Sequence, residues 1–172
     1  MKLSLIALFA GLTLLSAEGM ADTKQVYGLH EKALLPELDL ELPAKLDTGA
    51  VTASLSARNI ETFKRDGERW VRFQLAVDGQ DEPQTLVRPL VRISQIKRRA
   101  GDMTPGDSEA YTARPVIEMP VCLGDSVQHI EVNLTDRSSF DFPLLIGSTA
   151  LGEFDALVDP SRSYAHGRPG CA

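Results

Sequence analysis

Asp47 follows Ala44-Lys45-Leu46 and is itself followed by Thr48, Gly49 and Ala50. A strand through Leu46 would hold the carboxylate on a rigid end. The Thr48 hydroxyl can lock the loop backbone. Gly49 tolerates close backbone approach and conformations that other residues resist. A carboxylate held this way suits acid–base work on a water molecule. Two carboxylates at contact distance cannot both ionise, so a pair shares one proton, with one member acting as base and the other as acid. The sequence has one Asp-Ser/Thr-Gly triplet, because Asp66-Gly67 and Asp78-Gly79 lack the hydroxyl residue and read as turns. Either two copies of the chain pair through a twofold axis, each giving its Asp47, or there is no dyad. An isologous dimer, the commonest assembly, would bring the same loop from both subunits together.

The elements that must position Asp47 read as strands. The stretch from Val26 to Leu35 is apolar-rich, and Leu38-Asp39-Leu40-Glu41-Leu42 alternates with period two, as a half-buried strand does. Pro43 limits the next strand to an edge position or a fresh start. Small residues over 52–57 predict tight packing beside the Asp47 loop, and Asp66-Gly67 is a turn signal between apolar runs. Further strands are predicted over 70–77, 84–96, 114–123 and 128–135. Residues 97–113 hold Gly101, Pro105, Gly106 and several charges, and predict an exposed loop or hairpin tip. Phe142-Pro143-Leu144-Leu145-Ile146-Gly147 is a short buried run. A single short helix over 148–154, capped by Ser148 or Thr149, and a last strand at 156–160 close the chain. Many short strands with little helical periodicity predict an all-β barrel or sandwich.

This order of segments resembles the single-lobe, retropepsin-like aspartic proteases, and most closely a bacterial group formerly labelled putative ATP-dependent zinc proteases. The resemblance rests on Gly28-Leu29-His30-Glu31, the Asp47 segment, Arg114-Pro115-Val116-Ile117, Leu134-Thr135-Asp136-Arg137-Ser138, Leu144-Leu145-Ile146-Gly147 and Val158-Asp159-Pro160. It implies an all-β fold, a closed single-lobe barrel with one short helix near the C-terminus. Asp47 would be the catalytic aspartate. Thr48, Gly49 and Ala50 would form its loop, Leu145, Ile146 and Gly147 the strand supporting it, and residues 97–113 the flap over the substrate. Ser148 stands where related chains often carry Arg. The activity implied is an aspartic endopeptidase working as a homodimer on a peptide or protein, without metal or other cofactor. The alternative is a non-catalytic module that holds a peptide or partner protein on the same barrel.

The older zinc and ATP label finds no support in the residues. His30, His129 and His166 are scattered, with no His-Glu-x-x-His, and Gly-x-x-x-x-Gly-Lys-Ser/Thr is absent. No Gly-x-Ser-x-Gly elbow supports a serine hydrolase. Asp136-Arg137-Ser138-Ser139 reads as a turn whose Arg137 pairs with a nearby acid, or else touches substrate or the dimer seam. Trp70 and Phe73 read as core or rim, and His30 and His129 as solvent-facing or packed on strands.

A net charge of −6 with one short basic cluster, Lys97-Arg98-Arg99, argues against nucleic acid as a partner. Residues 1–21 run from Lys2 through an apolar core to Gly19-Met20-Ala21, the order of a cleavable signal peptide. The apolar run is short for a spanning helix, and no Cys at the junction suggests a lipid anchor. The expectation is a periplasmic or secreted protein, with residues 22–172 forming one domain of about 150 residues. Cys122 and Cys171 could form a disulfide that ties down the tail, or remain one buried and one exposed thiol.

Overall fold

The structure, a computed structural model, describes residues 23–78, 84–97 and 111–171. The expected signal-peptide segment, Gly79 of the Asp78-Gly79 turn, Pro83 and the tip of the expected flap lie outside the described residues.

Ten strands are described: β1 (Gln25–Leu35), β2 (Leu40–Asp47), β3 (Ala53–Arg65), β4 (Glu68–Leu75), β5 (Thr85–Pro89), β6 (Arg92–Lys97), β7 (Tyr111–Leu123), β8 (Ser126–Thr135), β9 (Leu144–Gly147) and β10 (Ala156–Ser163). One helix, α1 (Ser148–Glu153), follows β9 directly, and a single 3-10 turn, Pro36–Leu38, joins β1 to β2. The sheet runs β10-β1-β2-β9-β3-β8-β7-β6. Pairing of Ala33 and Leu34 in β1 with Leu123 and Cys122 in β7 closes six of these strands into a barrel. The expected all-β, single-lobe barrel with one short helix near its C-terminus is the fold observed.

Period-two patterning accounts for the core. Leu42, Ala44 and Leu46 of β2 are buried, together with Leu55, Ile117, Ile130, Val132, Leu134, Leu144 and Ile146. At about 25 cal/mol per Å² of apolar surface, such burial is the main force holding the barrel. Phe73 is fully buried, while Trp70 lies at the rim beneath the Arg65 guanidinium, 4.6 Å from the ring centroid. Asp66 (φ 53°) and Gly67 (φ 85°) both take the left-handed conformation in the β3–β4 turn, as that hairpin signal requires.

Several local expectations are corrected. Pro43 lies within β2, opposite Lys32 of β1, because β9 does not join β2 until Ala44 and so no partner there needs a proline N–H. The last residues of the expected 97–113 loop belong to strand: Tyr111, Thr112 and Ala113 pair with Lys97, Ile96 and Gln95 in the β6–β7 hairpin. The span 84–96 divides into β5 and β6. Gly147, with no capping side chain, stands at the N-cap of α1, so Ser148 and Thr149 lie inside the helix.

Cys122 and Cys171 form a disulfide, which decides between the two readings of the cysteines. The tail it fixes is also held by Glu31, a buried carboxylate. Glu31 accepts backbone N–H bonds from Gly28 (2.7 Å), Ala165 (2.9 Å) and His166 (3.4 Å). Gly28 is required there, since a Cβ would lie 2.7 Å from the Arg162 carbonyl oxygen.

Candidate active site

β2 and β9 run parallel, with Ala44 paired to Leu144, Lys45 to Leu145, Leu46 to Ile146 and Asp47 to Gly147. Asp47 therefore sits at the end of a strand braced on both sides, by β1 and β9. Its Oδ1 accepts the Gly49 N–H at 3.0 Å, and the Ala50 N–H bonds to its backbone carbonyl at 3.3 Å. These two bonds fold Thr48, Gly49 and Ala50 into a tight turn that aims the carboxylate. Oδ2 lies 3.6 Å from the Lys45 ammonium, and the side chain is about one-third exposed. Thr48 is exposed, and its hydroxyl bonds to no described residue of the same chain.

The chain leaving the turn crosses the end of β9. Ser148 N–H donates to the Ala50 carbonyl (2.7 Å) and Thr149 N–H to that of Val51 (3.1 Å). Gly147 permits this crossing: a Cβ there would lie 2.7 Å from the Val51 oxygen, 2.8 Å from the Thr52 carbonyl carbon and 2.9 Å from the Ala50 oxygen. The structure thus brings all seven candidate site residues, Asp47, Thr48, Gly49, Ala50, Leu145, Ile146 and Gly147, into one strand-end arrangement. Ser148 begins α1 and bonds through its backbone.

Paired residues of neighbouring strands share a face of the sheet. Lys45 pairs with Leu145, Leu145 with Ser54, Ser54 with Asn133, and Asn133 with Val116. By alternation Asp47, Ser56 and Arg114 lie on this same face, while Leu46, Ile146 and Leu55 line the opposite, apolar one. A polar network runs across it. Ser54 Oγ donates to Asn133 Oδ1 (3.0 Å), Asn133 Nδ2 to the Ala53 carbonyl (2.7 Å), and Arg114 Nη1 to Asn133 Oδ1 (3.3 Å). Ser54, Ser56 and Asn133 are buried, so these bonds are needed to offset lost hydration.

Arg137 differs from its expected role. It is 6% exposed and forms no ion pair with an acid among the described residues. Its Nε donates to the Phe142 carbonyl (3.0 Å), its backbone N–H to Ser56 Oγ (3.2 Å), and its guanidinium lies 4.7 Å from the Phe140 ring centroid. Asp136, the acid beside it, pairs instead with Arg58 (3.3 Å). Burial and then the positive charge of Arg114 lower the Arg137 pKa, while the negative charge of Asp47 acts against them.

Ser54, Ser56 and Asn133 belong to none of the sequence motifs, whereas Arg114 opens the Arg114-Pro115-Val116-Ile117 segment of the resemblance. The Ser-x-Ser alternation within the small-residue strand of 53–57 marks a polar buried face. His30 stacks on Phe142, with centroids 4.4 Å apart, and His129 lies 3.8 Å from Glu118, so neither belongs to a metal-ligand cluster. Among the described residues no group of three or more His, Cys, Asp or Glu side chains could hold a metal ion.

A family model described as retropepsin-like aspartic endopeptidase RimB, RimB-like, matches residues 26–169. Among solved structures, the chain is similar to protein Lpg0085 of unknown function (DUF785) from Legionella pneumophila. That similarity has 33% identity and a TM-score of 0.68, over 84% of this chain and 99% of that one. Among curated proteins it is similar to a probable alpha-L-glutamate ligase of Shewanella pealeana, 35% identical over 152 residues, or 88% of this chain and 32% of the relative. A protein of the same name from Shewanella halifaxensis is 35% identical over 87% of this chain and 31% of its own length. The chain spans about a third of the length of these curated relatives.

Proposed function

The chain belongs to the RimB-like family of retropepsin-like aspartic endopeptidases, and from that premise we propose that it is an exported aspartic endopeptidase whose working form is a homodimer. The observation that carries this reading is Asp47 at the braced end of β2, its side chain partly exposed, with one carboxylate oxygen held by the Gly49 N–H and the other 3.6 Å from the Lys45 ammonium. Two such loops meeting on a twofold axis supply the pair of carboxylates that one chain lacks. One Asp47, ionised, takes a proton from water as the water attacks the scissile carbonyl. The other, protonated, donates to the carbonyl oxygen. Collapse of the tetrahedral intermediate then returns a proton to the leaving amine. The peptide lies extended beside the β6–β7 hairpin, as in strand-addition recognition.

Export is part of the proposal. The order of residues 1–21 supports it, and so does the Cys122–Cys171 disulfide, a bond that persists in oxidising compartments.

The name of the curated relatives suggests a substrate chemistry, peptides rich in L-glutamate. Arg114 and Arg137 in the network beside Asp47 give this face a positive character suited to such peptides. The ligase activity in that name describes proteins about three times as long and is not carried over.

The test is Asp47→Asn in the exported, disulfide-bonded chain, assayed on a mixed peptide library that includes glutamate-rich members. Cleavage by the native chain and its loss in the variant are expected. Cleavage that survives the substitution defeats the proposal. Tight peptide binding without cleavage by the native chain favours the non-catalytic module.

A further inference from the structure

Arg137 carries more positive charge into the barrel wall than the described structure neutralises. The side chain is 6% exposed, and of its three guanidinium nitrogens only Nε has a hydrogen-bond acceptor among the described residues, the Phe142 carbonyl. Keeping a guanidinium charged in such a place is costly unless an anion meets it.

Three contacts fix where the free edge of the group lies. The Nε bond holds it at the entry to β9, the strand that braces Asp47. The backbone N–H bond to Ser56 ties its base to β3 on the face that carries Asp47. The Phe140 ring covers one flat side of the guanidinium at 4.7 Å while remaining 55% exposed itself. Stacking of this kind leaves the in-plane N–H groups available. Arg114, anchored on Asn133, lies on the same face and adds a second cation. Arg92 pairs with Glu131 (2.7 Å), Arg58 with Asp136, and Lys45 with Asp47.

We propose that Arg137 is a specificity-determining residue, its terminal nitrogens binding a side-chain carboxylate of the substrate. A planar guanidinium whose two terminal nitrogens are free matches a carboxylate end-on in a two-bond fork, whereas an amide side chain offers it one acceptor and a clashing donor. Phe142, which holds Nε, precedes Gly147, the partner of Asp47, by five residues, and an extended peptide advances about 3.3 Å per residue, so the acidic residue recognised lies several positions from the scissile bond. Phe140 forms the apolar wall beside this position, suited to the methylene groups of glutamate. The inference rests on the peptidase reading for the word substrate, but its recognition chemistry is testable without turnover.

The experiment measures binding by calorimetry on the full disulfide-bonded chain carrying Asp47→Asn, so that no peptide is consumed. The probes are tetra-α-L-glutamate and tetra-L-glutamine. The glutamate peptide is expected to bind at least tenfold more tightly. Adding Arg137→Gln is expected to remove that preference, and adding Arg137→Lys, which keeps the charge and loses the fork, to reduce it at least threefold. A preference unchanged by either substitution, or no preference in the parent, overturns the assignment. Should Arg137→Gln fail to fold, the lysine variant alone decides. A native chain that binds glutamate through Arg137 yet cuts no peptide refutes the endopeptidase proposal and leaves this one standing. In a native chain that does cleave, Arg137→Lys should raise KM for glutamate peptides with little change in kcat. A purely structural role would lower activity on acidic and neutral peptides alike.

Discussion

Asp47 and Gly147 are direct partners across the parallel strands β2 and β9, and the second is glycine because the chain leaving the first passes over it. A Cβ on Gly147 would meet three backbone atoms at 2.7 to 2.9 Å. Backbone, unlike a flexible side-chain tip, cannot swing away. Gly147→Ala is therefore expected to destabilise by about 1–3 kcal/mol, the usual cost of overpacking, and to displace the Asp47 turn. Gly152, in α1, has nothing within 4 Å of its Cβ position. Gly152→Ala is expected to be neutral or to stabilise by up to about 1 kcal/mol. Urea unfolding of the two variants beside the parent checks the contrast.

The dyad proposal makes a quantitative prediction for mixed dimers. Equal amounts of native and Asp47→Asn chains, exchanged to equilibrium, should leave about one quarter of the native activity per total chain, since only dimers with two intact carboxylates work. A chain that acts alone would leave about one half. Peptide cleavage measured after subunit exchange separates the two.

The Cys122–Cys171 bridge spans a sequence separation of 49. The chain-entropy account assigns such a loop about 4 kcal/mol, and measured values for native bridges lie around 2–5 kcal/mol. Reduction, or Cys171→Ser, should lower unfolding stability by about that amount. Hydrogen exchange should rise first in the tail, at Ala165 and His166, whose amides bond to Glu31. Denaturant titrations with and without reductant, read together with exchange, check this.

Tyr27 should govern alkaline stability. Its hydroxyl donates to the Leu123 carbonyl (3.2 Å), and its ring stacks on His166 (4.3 Å). Burial, then the negative charges of Asp125 and Glu31, raise its pKa above the ordinary phenol value. The folded chain therefore holds this proton more tightly than the unfolded chain does. The contribution is fully present below about pH 10, where the unfolded phenol is still protonated, and is lost as pH rises through the higher folded value. Unfolding free energy should fall above about pH 10, and Tyr27→Phe should flatten that fall while losing the hydrogen bond to Leu123. Urea titrations of the two chains across the alkaline range check this.

Features encoded within a few neighbouring residues were legible in the sequence. The Asp47 triplet, the period-two strands, the Asp66-Gly67 turn and the short helix after Gly147 each depend on local backbone preference or on alternation along one strand. The resemblance built on these segments led to the right fold and family. The errors came where a partner distant in sequence changed the local rule. Pro43 is tolerated inside β2 because β9 joins one residue later. Tyr111, Thr112 and Ala113 are strand because Lys97, Ile96 and Gln95 pair with them.

The sequence by itself determined that this chain is an all-β protein with one candidate catalytic carboxylate, because side-chain alternation and an Asp-Thr-Gly turn are local properties. Tertiary structure alone decided that β1 meets β7 to close the barrel, that Cys122 reaches Cys171, and that Arg137 lies buried with no acid partner among the described residues. Each depends on which distant segments pack together. That choice follows from burying the apolar faces of all the strands at once, a condition no single stretch of residues can express.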